Sequence, residues 1–191
     1  IQRRITERFG DSIVGFKVGS TSLEAQQILG TDEPGVGDIM GSFLYESPAQ
    51  IMIAPSHMPA IEGEFAFRIG YDLPPRPTEY TREDVIEVID AAAGAIEIVG
   101  TRIAGGLAGK GRCLATADGG ANIALCVAPW QPDWRSLDLR EHPVAITVNG
   151  EAGGHGHGAR ALGDPLNVMV WLANRLSSSG DGVLAGTVVS T

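Results

Sequence analysis

Two glutamates one residue apart, in Ile61-Glu62-Gly63-Glu64-Phe65-Ala66-Phe67, carry the clearest chemical potential in this chain. Side chains on a β-strand alternate between faces, so Glu62, Glu64 and Ala66 share one face and Ile61, Phe65 and Phe67 the other. One face packs while the other holds two carboxylates about 7 Å apart. Like charges at that separation repel unless a cation sits between them. Oxygen-only ligation suits magnesium, manganese or calcium better than zinc or copper. The same spacing fits a solvent-facing strand edge, so this stretch alone leaves both readings open.

A third carboxylate interrupts the apolar run Ala95-Ile96-Glu97-Ile98-Val99. A buried carboxylate must be paired, protonated or metal-bound. Arg102 is one candidate partner, in a salt bridge. On a strand beside the first, Glu97 instead completes a three-carboxylate set with Glu62 and Glu64, leaving positions for water and substrate of the kind magnesium usually keeps. Lys17, the only charge in residues 13–19, is either an edge gatekeeper or a buried functional cation. Asp118, in Ala117-Asp118-Gly119-Gly120, reads as a turn residue or as the holder of a water or metal ion. His155-Gly156-His157 has a zinc-like spacing, but with glycines around it and no cysteine nearby it reads as a flexible polar loop. Residues 105–111 are not a phosphate-binding loop. Ala104 stands where the leading glycine is needed, and Gly111 where a serine or threonine would bind the metal. The segment reads as a mobile glycine-rich loop over a site.

These residues need elements to position them. Strands are expected over 13–19, 39–45, 50–54, 61–69, 95–99, 122–128, 144–148 and 183–190, with a turn at 32–37 and a hairpin turn at Asn149-Gly150. Thr21-Ser22-Leu23-Glu24 has the capping-box form, a hydroxyl N-cap with Glu three residues on, and opens a short helix over 22–29 that Gly30 ends. Thr81 caps a second, whose stripe of Val85, Val88, Ile89 and Ala92 runs until Gly94. Asp164-Pro165 starts the third and best specified, with Leu166, Met169, Val170, Ala173 and Leu176 on one face. Residues 1–10 resemble the tail of a helix. Many short strands with interspersed helices indicate an α+β fold with a β-rich core.

At 191 residues the chain suits a single domain able to bury a core. A net charge of −9 without any Lys/Arg run argues against nucleic acid. No apolar run has the length of a membrane span, which makes a soluble protein the expectation. Cys113 and Cys126 give no disulfide framework and favour a reducing, cytoplasmic setting.

Four separated motifs carry a family resemblance: Gly15-Phe16-Lys17-Val18-Gly19-Ser20-Thr21-Ser22, the Glu-Gly-Glu strand, Ile96-Glu97-Ile98-Val99-Gly100-Thr101-Arg102, and Gly163-Asp164-Pro165-Leu166-Asn167 through Trp171-Leu172-Ala173. In this order they resemble the 2-oxopent-4-enoate (2-hydroxypenta-2,4-dienoate) hydratases. Those enzymes belong to the fumarylacetoacetate hydrolase superfamily, with 4-oxalocrotonate decarboxylases and acylpyruvate hydrolases. The resemblance implies a mixed β-roll, barrel-like at its core, with a few peripheral helices. It implies Glu62, Glu64 and Glu97 as ligands of Mg2+ or Mn2+, Lys17 as a catalytic and substrate-binding residue, and Asp118 as a second substrate contact. It further implies a homo-oligomer, and a full-length protein with a helical segment before residue 1 and more strands after 191. The expected reaction is addition of water to a 2-hydroxy-2,4-dienoate, giving a 4-hydroxy-2-oxo acid, as in the catabolism of aromatic compounds. Decarboxylation of a 4-oxalocrotonate, acylpyruvate carbon-carbon hydrolysis, and non-catalytic binding of a 2-oxo acid are the alternatives. Asp164, Gly35 and Gly119 depart from the family's usual His, Asp and Asn.

Overall fold

The computed structural model describes residues 2–191. Ile1, the first residue of the helix-like stretch, lies outside the described residues. The chain runs through α1 (Gln2–Phe9), β1 (Ile13–Gly19), α2 (Leu23–Leu29), β2 (Gly35–Met40), β3 (Leu44–Glu46), β4 (Ala60–Ile69), α3 (Arg82–Val88), β5 (Ile89–Val99), α4 (Gly111–Ala117), β6 (Asn122–Val127), β7 (Pro143–Val148), β8 (Glu151–His157), α5 (Pro165–Ser178) and β9 (Val188–Ser190). Seven strands form one sheet in the order β2-β1-β9-β4-β5-β6-β3, and β7 and β8 form a separate hairpin. The sheet is mixed: β1 with β9 and β3 with β6 run parallel, the other neighbours antiparallel. The architecture is the expected α+β.

The two faces of the sheet are built differently. One packs bulky side chains, Phe67, Ile69, Ile89 and Val189, against Leu166, Val168, Met169 and Leu172 of α5. That helix starts as its sequence dictates: the Asp164 carboxylate accepts from the Leu166 N–H, and Pro165 takes the first turn. The other face is lined by small residues, Ala66, Ala93 and Ala95, with Ile39, Leu125 and Val127. Small side chains let the sheet curl into a half-barrel. Edge strand β2 swings round to the turn before β6, where a Cβ on Gly37 would lie 2.3 Å from the Gly119 carbonyl oxygen. The β7–β8 hairpin seats against β4 in the same way, since a Cβ on Gly63 would meet Val144 Cγ1 at 2.8 Å.

Several local expectations are revised. The second helix ends at Val88, not at Gly94, because residues from Ile89 onward pair with β4 as β5. Alanine favours helix intrinsically, yet here a ten-residue partner strand and a face with room only for small side chains decide the matter. His155 and His157 belong to strand β8, not to a loop. Residues 50–54 are not a strand; an irregular segment leads into a 3-10 turn at Pro55–His57. The strand expected over 39–45 divides into β2, which starts at Gly35 inside the supposed turn, and β3, with a 3-10 turn at Gly41–Phe43 between them. The last strand is only Val188–Ser190, although Val183 bridges to Leu73. Helix α4 was not foreseen.

Leu172 is 1% exposed at the centre of the α5 face. Leu172→Ala is expected to lower the unfolding free energy by about 2–5 kcal/mol, read as a fall in the urea midpoint at unchanged slope.

Candidate metal and substrate site

Pairing of β4 with β5 sets Glu62 directly opposite Glu97 and Glu64 opposite Ala95, so all three glutamates share the small-residue face. Glu62 is exposed, Glu64 half-buried and Glu97 fully buried. One carboxylate oxygen from each lies within 4.8 Å of the others. The strand alternation that made Glu62 and Glu64 neighbours thus brings in Glu97 through the antiparallel register.

Lys17 enters from β1, two strands away. Its side chain is buried, and its Nζ donates to Glu97 Oε2 at 3.0 Å. The sequence reading offered Arg102 as the partner of Glu97; the structure replaces it with Lys17. Glu97 Oε1 accepts from Asn122 Nδ2 at 2.8 Å, and Glu64 Oε2 accepts from the Ser190 hydroxyl at 2.9 Å. Sequence reasoning missed both donors. An asparagine beside a glycine-rich turn and a serine late in the chain look like ordinary turn and surface residues.

Burial dominates the electrostatics. It drives the Glu64 carboxyl well above its usual range, and the nearby Glu97 charge pushes the same way. Burial also raises Glu97, against the opposing pull of Lys17 and Asn122. For Lys17 burial alone acts downward, but the charges of Glu97, Glu62 and Glu64 outweigh it and hold the ammonium up to about 12. Against three carboxylates Lys17 supplies a single positive charge. The two negative charges left over, all on oxygen donors, fit one hard divalent cation.

Glu62, Glu64 and Lys17 line a cavity of about 640 Å³. Its walls are largely aliphatic, with Ile28, Leu29 and Val36 on one side and Val144 and Ile146 of the hairpin on another. Arg160, His155 and His157 also line it. Leu107 of the glycine-rich segment contributes to the wall, in keeping with the expectation that this segment lies over a site. Asp118 is not brought there. It caps α4, pairs with the Arg102 guanidinium at 3.5 Å, accepts from the Arg102 N–H and lines a separate cavity of about 60 Å³. In this fold Asp118 anchors Arg102.

Because its folded pKa is raised, Lys17 contributes stability that is fully present below pH 10.5 and lost as the pH rises through about 12. Lys17→Met leaves the buried carboxylates without their counter-charge, so without added metal the unfolding free energy should fall by about 3 kcal/mol at neutral pH. Glu64 and Glu97 have pKa values raised above 4.5 and take up protons as the pH falls, so the deficit should narrow toward pH 4.5. Urea unfolding across that range checks both the size and the slope.

No family model matches the chain. It is 35% identical over 189 residues to the 2-keto-4-pentenoate hydratase of Paraburkholderia xenovorans, a match covering 98% of this chain and 68% of the relative. Among solved structures, the 4-oxalocrotonate decarboxylase of Pseudomonas putida complexed with calcium and acetate superposes with a TM-score of 0.83 at 27% identity, over 99% of this chain and 70% of that one. The same decarboxylase complexed with magnesium and adipate gives 0.79 at the same identity and coverage. Near-complete coverage at this identity establishes that the chain belongs to the 2-keto-4-pentenoate hydratase family.

Proposed function

We propose that the protein is a hydro-lyase that adds water to a 2-hydroxy-2,4-dienoate of the 2-oxopent-4-enoate type, as in the breakdown of aromatic compounds. The observation that carries this reading is the convergence of the Glu62, Glu64 and Glu97 carboxylates with Lys17 beside a cavity of about 640 Å³, in a chain akin to 2-keto-4-pentenoate hydratases. In the overall reaction a hydroxyl adds at C4 and protons at C5 and C3. The 2-hydroxyl loses its proton as it becomes the 2-oxo group, so that one water is consumed.

Glu62, Glu64 and Glu97 would hold Mg2+ or Mn2+. When bound there, the cation supplies Lewis acidity toward the carboxylate and 2-oxo oxygens of the substrate. Lys17, cationic at Nζ, orients the substrate carboxylate by a charge-assisted hydrogen bond. Aliphatic walls exclude bulk water from the dienoate chain, which strengthens each electrostatic contact around it. Cytoplasmic placement and homo-oligomeric assembly belong to the same proposal; among the described residues no helix is long and apolar enough to cross a membrane.

Decarboxylation of a 4-oxalocrotonate is the second reading. It is favoured by the structural likeness to that decarboxylase and by Arg160, His155 and His157 along the cavity, which suit a second carboxylate. Bleaching of 2-hydroxypenta-2,4-dienoate absorbance by purified protein with Mg2+ or Mn2+, abolished in Glu97→Ala, is the expected result. Carbon dioxide release from 4-oxalocrotonate without dienoate bleaching would replace the hydratase with the decarboxylase. Metal-dependent oxalate binding with no turnover of either would leave a binding protein.

The raised pKa of Glu64 gives this reading a pH signature. With the Glu64 carboxyl raised well above its usual range, proton and cation compete for it, so metal affinity should rise with pH, and calorimetry in buffers of different ionisation enthalpy should detect proton release on binding where the two compete. Binding that is flat with pH and releases no proton would remove Glu64 from the ligand set.

A further inference from the structure

We propose that Asn122 is a positioning residue for Glu97, brought to its place by a β-bulge at Ile123, and that it sets the metal affinity of the site without touching metal or substrate. This rests on the metal-binding reading above. Along the β5–β6 ladder, Glu97 pairs with Leu125 and Ile98 with Ala124, but Val99 pairs with Asn122, so Ile123 is the extra residue of a bulge. Regular pairing would set Ile123 opposite Val99, on the Glu97 face, and turn Asn122 to the other side. The one-residue insertion reverses this. Asn122 takes the carboxylate face, and the Ile123 side chain packs with Ile98 and Ala124.

The geometry of the amide shows what it is used for. Asn122 is 2% exposed, and its Nδ2 donates to Glu97 Oε1 at 2.8 Å. Only this orientation is compatible with the carboxylate, since the reverse would set two oxygens against each other. Its Oδ1, by contrast, is buried with no protein partner among the described residues. An unsatisfied buried carbonyl is a cost to folding, so an apolar side chain of the same size would serve the sheet better. What Asn122 offers that such a residue lacks is the donor to Glu97. Lys17 holds Oε2 and Asn122 holds Oε1, so the carboxylate plane is fixed from both ends, and rotation that would swing Glu97 out of register with Glu62 and Glu64 is blocked. Groups that orient a metal-ligating carboxylate typically govern affinity by about 10–100-fold.

The test is Mn2+ binding by the intact protein, followed by the electron paramagnetic resonance signal of the free ion. Asn122→Ala removes the amide without adding charge, and Asn122→Leu keeps the bulk and removes both polar atoms. Each is made in the wild-type and in the Glu97→Gln background, with folding verified by circular dichroism. The expected result is a dissociation constant raised about 10–100-fold by either substitution in the wild-type background, and almost no further change where Glu97 is already replaced, since the effect acts through that carboxylate. Should Asn122→Leu fail to fold, Asn122→Ala carries the comparison. Folded variants that bind Mn2+ as tightly as wild type would overturn the proposal, and so would an equal loss in both backgrounds, which marks a general effect on the sheet. Wild-type protein that binds no Mn2+ would instead overturn the metal-binding reading itself.

Discussion

The contact between Lys17 and Glu97 is the constraint around which the rest of this structure is arranged. A fully buried carboxylate among alanines and isoleucines is tolerated only with a counter-charge in direct contact, and the ammonium at 3.0 Å supplies it. The pair lies 80 residues apart in sequence and on strands separated by two others in the sheet. For a lysine on β1 to reach a glutamate on β5, the sheet must curl, and the residues between them must be small. Ala66, Ala93 and Ala95 meet that requirement, and Gly37 lets the edge strand close in.

This arrangement explains why two faces of one sheet carry such different chemistry. The bulky face against α5 supplies the main core and rigidity. The small-residue face supplies little hydrophobic contact and gives its space to charge. A site built on strand backbones is held more tightly than one built on loops. The loops and short helices around it, among them the segment carrying Leu107, are left to shape the cavity wall.

How much of this was legible depended on the range over which each signal acts. The two-residue period of a strand is rigid, so Glu62 and Glu64 declared a common face from sequence alone. The Thr21–Glu24 capping-box pattern, Thr81 and Asp164 marked helix starts to within a residue because capping is settled within three residues, although the cap of α2 is Ser22. Ala91 to Ala93 misled because alanine's local preference is helical, while the pairing that overrides it comes from Ala66 to Arg68, about 25 positions away. The true partner of Glu97 was hidden for the same reason. Arg102 was near in sequence, and Lys17 was near only in the folded sheet. Asn122 was beyond reach, since a bulge is a property of two strands together and leaves no mark on either one. Turn chemistry marks Asp118 only as a turn residue, because its contact with Arg102 spans 16 residues of chain and lies beyond the range of that signal.

Strand β9 is only three residues long, yet it lies between β1 and β4 and brings Ser190 to Glu64. It joins the two halves of the pocket, since β1 with its lysine and β4 with its glutamates share no direct ladder and each pairs with Val188–Ser190. Both partners lie far upstream in the sequence, so long stretches of chain must be ordered before this pairing rewards them, which favours slow folding. Assembly of the acidic pocket is therefore tied to the docking of one three-residue strand.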